Sequence, residues 1–107
     1  MSGLRRGDVV WLKFQEIKKI RPGVVVQNDW ANKVAPYTIA AAIRGGVGKG
    51  LPVQVPVKAG IGGLTKDSVI DCSFLVTVNS EKLKAVGRLP AAMMQMVDEA
   101  LKISLGL

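Results

Sequence analysis

Apolar positions alternate with polar ones in short runs over most of this chain. Near the end they change to a spacing of three and four. Period two marks strands and period three-to-four marks a helix. Asp8 to Phe14 reads as a first strand with Val9, Trp11 and Lys13 on one face. Gln15 to Ile20 reads as a short basic connection. Pro22 to Asn28 reads as a second strand, because Pro22 suits a strand's first position and Val24 to Val26 are β-branched and apolar. Asp29 to Pro36 is expected to be a polar loop, and Tyr37 to Ile43 a third strand whose three alanines suit a tightly curved wall. Gly45 to Gly50 holds four glycines, which relax the backbone into a mobile loop. Val53, Val55 and Val57 alternate with Gln54 and Pro56, and the proline restricts that strand to an edge or a bulge. Ala59 to Lys66 is a glycine-rich turn region. Ser68 to Phe74 and Leu75 to Val78 form one further strand or a bent pair.

The helical part begins after Val78. Asn79 or Ser80 can cap a short helix through Glu81 to Ala85. Pro90 fits the first turn of a last helix. There Met93, Met96, Val97, Ala100 and Leu101 make one apolar stripe, with Asp98 and Glu99 opposite and Gly106 as the C-terminal cap. Short strands followed by helices predict an α+β fold: a small, curved, largely antiparallel β-barrel with C-terminal helices. The length of 107 residues suits a single domain spanning 1–107.

Charge adds a partner class to this outline. Fifteen basic against eight acidic residues give +7 and a pI near 9.9, which favours a polyanion or an acidic protein. Aromatic content of 5% leaves base stacking a minor contributor. A hydrophobic content of 49% is high for so small a monomer and points to apolar surface shared with a partner. Histidine is absent, so imidazole acid–base catalysis and the usual zinc sites are excluded, and the scattered acids show no metal spacing. Cys72 is the single cysteine. It is expected to be a buried thiol in a reducing, cytoplasmic setting. No membrane partner, leader or cofactor is expected.

Arg21 is the leading candidate for chemistry. A guanidinium keeps its charge and offers a planar fork of donors that matches phosphate oxygens. Pro22 holds it on a short leash at the start of a strand, although capping a barrel end would explain it too.

Several segments carry a resemblance: Arg6-Gly7-Asp8-Val9-Val10-Trp11, Arg21-Pro22 with Gln27-Asn28-Asp29, Thr38 to Ile43, Leu51-Pro52-Val53, Asp67 to Ile70, and the ending Asp98 to Leu107 with Ser104-Leu105-Gly106-Leu107. In this order and spacing the chain resembles the MazF/PemK family of bacterial toxin endoribonucleases. The resemblance implies an SH3-like barrel forming a homodimer, metal-independent cleavage of single-stranded messenger RNA by 2′-hydroxyl attack, and neutralisation by an acidic antitoxin. It also implies that Arg21 is catalytic.

Three departures from the family pattern stand out. Arg44 occupies the place of a catalytic threonine and is carried as the second catalytic candidate; it either clamps phosphate or fills the pocket. The connection Gln15 to Ile20 is short where relatives have a longer loop, with Glu16 a loose stand-in. Asp71 to Thr77 lacks the family's polar pair and arginine, leaving Ser73 and an Asp71 that reads most simply as a solvated strand carboxylate. Lys49, Asn28, Ser73 and Arg6 are the RNA-binding candidates, with Arg5, Lys18 and Lys19 as ordinary solvated charge at least as readily. Trp30 either stacks a base or packs. The competing reading is the same fold binding nucleic acid or an antitoxin without cleaving.

Overall fold

The computed structural model describes residues 3–14 and 19–107. Gln15 to Lys18, with Glu16 and Lys18, lie outside the described residues. The elements run β1 (Asp8–Phe14), β2 (Lys19–Val25), α1 (Asp29–Val34), β3 (Tyr37–Gly45), β4 (Gln54–Val57), a 3-10 turn (Ile61–Gly63), β5 (Ser68–Asn79), β6 (Ala85–Arg88) and α2 (Ala91–Leu105). The strands form one curled sheet in the order β4-β5-β3-β2-β1-β6, with every pairing antiparallel. This is the small curved antiparallel α+β architecture expected, as a half-barrel with one C-terminal helix.

Both faces of the sheet bury apolar side chains. On one face Val9, Val24, Ala41, Ile43, Val55, Val57, Ile70 and Cys72 meet Val97 and Ala100 of α2. On the other face Val10, Leu12, Val25 and Ala40 form a smaller cluster with Leu4, Val76, Val78 and Leu83. The alternation of β1, β2 and β3 assigns odd and even residues to opposite faces. Below, the face carrying α2 is the inner face and the other the outer face.

Four expectations are corrected. Asp29–Val34 is a helix and not a loop: the Asn28 side chain accepts the Ala31 N–H at 2.8 Å, and Asp29 complements the helix N-terminus. Glu81 to Ala85 is not a helix. The Asn79 carboxamide accepts the Glu81 N–H at 2.8 Å in a turn, and Ala85–Arg88 then zips onto β1. There Gly87 is required, since a Cβ would stand 2.0 Å from the Gly62 carbonyl oxygen. β2 begins at Lys19, not Pro22, so Arg21 lies within the strand. The ladder to β3 stops at Gly23, so Pro22 sits where β2 pairs on one side only and its missing N–H costs nothing. Finally, Pro90 is the N-cap of α2 rather than its first residue.

β5, expected as one strand or a bent pair, is a single bent strand. Ala41 pairs with Leu75 while its neighbour Ala42 pairs with Asp71. Cys72, Ser73 and Phe74 are therefore bulged out of the ladder. Because three residues are inserted, the parity of the strand inverts: Ile70 and Cys72 face inward before the bulge, and Leu75 faces inward after it. β4, with Pro56, is an edge strand, as its proline requires. Gly106, at φ 74°, caps α2.

Candidate active site

The site grows from the place where β2 and β3 part. Their ladder ends at Gly23 opposite Ala42. Continuing that register by two residues brings Arg21 opposite Arg44 on the outer face, across an open notch. Leu12, which pairs with Arg21, lies over Gly23, where a Cβ would meet its Cδ1 at 2.3 Å. Glycine thus keeps a flat floor between Leu12 and the arginines.

Arg21 is half-buried, and among the described residues its side chain makes no ion pair or hydrogen bond, so no described group occupies its fork of donors. Arg44 differs. Its Nη2 stands 3.1 Å from Asp71 Oδ2, and its guanidinium lies 5.8 Å from the centre of the Phe74 ring. The other Asp71 oxygen accepts the Ser73 N–H at 3.0 Å and the Ser73 hydroxyl at 2.5 Å. Asp71 is therefore buried and paired, against the expectation of a solvated carboxylate. The β5 bulge makes this possible by turning Ser73 and Phe74 toward Arg44. Nothing in the local sequence signals the pairing, because a three-residue bulge is a property of the ladder.

Lys49 lies beside this group. Its backbone N–H donates to Gln54 Oε1 at 2.8 Å, and Gln54 pairs with Asp71. The glycine loop expected to be mobile is held by that bond and by Gly46 N–H to the Asp67 carbonyl at 3.0 Å. A Cβ at Gly48 would meet Val69 Cγ2 at 2.9 Å, so the loop packs closely on the outer face.

Asn28 and Arg6 are not brought to the notch. Asn28 caps α1, beyond the far end of β2, roughly 20 Å along the strand from Arg21. Arg6 ties three elements at that end: Nε donates to the Val26 carbonyl at 2.8 Å, Nη2 meets Asp98 Oδ1 at 2.7 Å, and its backbone N–H donates to Asp29. Trp30 is exposed on α1. Asp8 of the same opening segment is buried against Arg88 at 2.7 Å, so this charged run is largely architectural.

The inner face presents a cleft of about 480 Å³ at the end that α2 leaves uncovered. Val9, Trp11, Pro22, Ile43 and Val86 line it, Lys19, Thr65, Lys66 and Ser68 give it a polar rim, and Arg21 borders it too. Lys66 lies across Gly45, where a Cβ would meet its Cε at 2.8 Å. Lys19, Arg21 and Lys66 thus supply basic groups to the cleft. Lys19, read from the sequence as ordinary solvated charge at least as readily as part of a cationic rim, lies on this rim, and Lys66 was not singled out by the sequence.

Cys72 lies directly behind the site but is inert. Burial pushes its thiol up to about 11, and the neighbouring Asp71 carboxylate adds to the shift. Among the described residues no three His, Cys, Asp or Glu side chains gather into a metal-binding group. No described helix is long and apolar enough to cross a membrane.

Comparison with known proteins agrees with this architecture. Residues 5–105 match the family described as PemK-like, MazF-like toxin of type II toxin-antitoxin system. The chain is 38% identical to Endoribonuclease MazF of Staphylococcus epidermidis, covering 97% of this chain and 92% of that protein. Its fold resembles a mycobacterial endoribonuclease solved with its cognate antitoxin: TM-score 0.86, 21% identity, 98% of this chain and 97% of the other. A MazE–MazF structure from Deinococcus radiodurans gives a TM-score of 0.77 at 24% identity over 97% and 96% of the two chains. Sequence and fold thus agree that this chain belongs to the PemK-like, MazF-like toxin family of type II toxin–antitoxin systems.

Proposed function

We propose that this chain is a metal-independent endoribonuclease that cleaves single-stranded RNA at the notch between β2 and β3. The observation that carries the reading is Arg21: a permanent cation whose side-chain donors have no partner among the described residues, placed where the β2–β3 ladder ends and on the same side of the sheet as a second arginine. The 38% identical relative is named an endoribonuclease, which supports the same reading.

RNA supplies its own nucleophile. The 2′-hydroxyl oxygen forms a bond to the adjacent phosphorus, the bond from phosphorus to the 5′-oxygen breaks, and a 2′,3′-cyclic phosphate results. The proton lost from the 2′-hydroxyl is matched by one gained at the leaving 5′-oxygen. The protein's task is to align the strand and stabilise charge on the non-bridging oxygens. Arg21 provides that stabilisation. Arg44 provides a second cation, and Lys49 and Ser73 border the path of the RNA backbone. Single strands fit because their bases are not locked in a duplex.

Cleavage in EDTA is the direct test. A long single-stranded RNA should give discrete fragments with cyclic-phosphate ends, and Arg21→Ala should abolish them. The competing reading, binding without cleavage, draws on one observation: Arg44, at the position where the family resemblance implies a threonine, is already paired with Asp71. Retention of RNA with no fragments would establish it.

The partners follow from the same surface. An acidic antitoxin segment fits the cleft, whose lining contains three basic residues and no acid among those described. The exposed Ile103, Leu105 and Leu107 at the end of α2 favour a homodimer. A single domain acting in the cytoplasm completes the proposal.

A further inference from the structure

We infer that Asp71 is a positioning residue: it fixes the Arg44 guanidinium across the notch from Arg21, so that an arginine does the work of the smaller hydroxyl residue that the family resemblance implies here. The inference rests on the nuclease reading and deepens it.

Three contacts carry it. Asp71 Oδ2 takes Arg44 Nη2 at 3.1 Å. Asp71 Oδ1 is held by both donors of Ser73, so the carboxylate cannot rotate without losing two hydrogen bonds. The Phe74 ring lies beneath the guanidinium at 5.8 Å and limits its remaining freedom. An arginine has several rotatable bonds, and ordering it costs rotamer entropy. Free in solvent, it would be a poor catalytic group. Tethered at one nitrogen, it keeps its other N–H donors for a phosphate. All three tethering groups come from the β5 bulge or its margin, so the bulge and Arg44 form one device.

A competitor would look superficially similar. An acid 3.1 Å from Arg44 also subtracts charge from an RNA site. The two roles make opposite predictions. If Asp71 positions Arg44, Asp71→Asn lowers kcat at least tenfold, while affinity for an uncleavable 2′-O-methyl RNA stays the same or tightens, because a negative charge has gone. Ser73→Ala, which removes only the hydroxyl donor, lowers kcat about threefold in the same direction and serves if the first variant folds poorly. In an Arg44→Ala background Asp71→Asn has no further effect on single-turnover rate, since it acts through Arg44.

The result that overturns the inference is equally definite. A kcat that rises or holds in Asp71→Asn makes Asp71 a competitor or a bystander. The same loss persisting in the Arg44→Ala background gives it another target. Absence of cleavage by the unmodified chain overturns the nuclease reading itself, and this assignment with it.

Discussion

Truncating the two arginines separately should dissociate activity from stability. The Arg21 side chain makes no ion pair or hydrogen bond among the described residues, so Arg21→Ala strands no described polar group. Its stability should change by no more than about 0.5 kcal/mol, the usual range for such positions. For a domain this size that is a Tm shift of roughly 2–4 °C. Its catalytic cost should be large. A hydrogen bond to a charged group contributes about 1.5–3 kcal/mol, and losing one preorganised oxyanion donor lowers kcat by roughly 10²–10³. Arg44→Ala behaves differently. It leaves the Asp71 carboxylate, 8% exposed, with Ser73 but without its cation. A fully buried pair broken in this way costs about 3–5 kcal/mol. Arg44 is 53% exposed, so solvent screens the pair and about 1 kcal/mol is the better figure. The assay is single-turnover cleavage of a fluorescent RNA in EDTA beside urea unfolding of each variant. Arg21→Ala cleaving within threefold of the parent, with its fold intact, would refute the phosphate role. A stability loss above about 2 kcal/mol would show that Arg21 holds the barrel instead.

Other outcomes are expected. Asn28→Ala removes the α1 cap and should cost about 1 kcal/mol in urea unfolding, with RNA cleavage unchanged. Gly87→Ala forces a methyl against the Gly62 carbonyl and should destabilise by roughly 1–3 kcal/mol or prevent folding, read from the urea midpoint. The Cys72 thiol is raised from 9.0 to about 11 in the fold. The folded state therefore holds this proton more tightly, and the associated stability is complete below pH 9 and fades as pH rises to about 11. The Cys72→Ala variant should lack that part of the alkaline decline, which amounts to about 2–3 kcal/mol. A parallel pH profile for the two proteins would show that the thiol does not titrate this way.

The strands were legible because each carries period-two alternation or an apolar run, from Val9 and Trp11 to Val53, Val55 and Val57. The last helix was legible from its stripe and from Gly106. α1 was hidden because its six residues are too few to show a helical period; only Asn28 and Asp29 marked it. The segment after Asn79 was misread because a cap residue serves a turn as readily as a helix. Arg21 and Arg44 could be named from the residues and the resemblance, but their shared face depended on the β2–β3 register. Asp71, Ser73 and Phe74 could not be joined to Arg44 beforehand. Their placement depends on an insertion in the ladder that breaks the alternation on which strand reading relies.

That insertion divides the longest strand into two stretches with separate registers. Adding or removing a residue elsewhere in β5 would turn the remainder over, exchanging core side chains for exposed ones. At Ser73 and Phe74 a change of length can be absorbed locally, since these exposed residues are already out of step with the ladder. The chemistry bordering Arg44 can therefore be rewritten, even lengthened, while the hydrophobic interior keeps its packing. Diversification of this scaffold has a ready-made slot at the point that borders the Arg44 guanidinium.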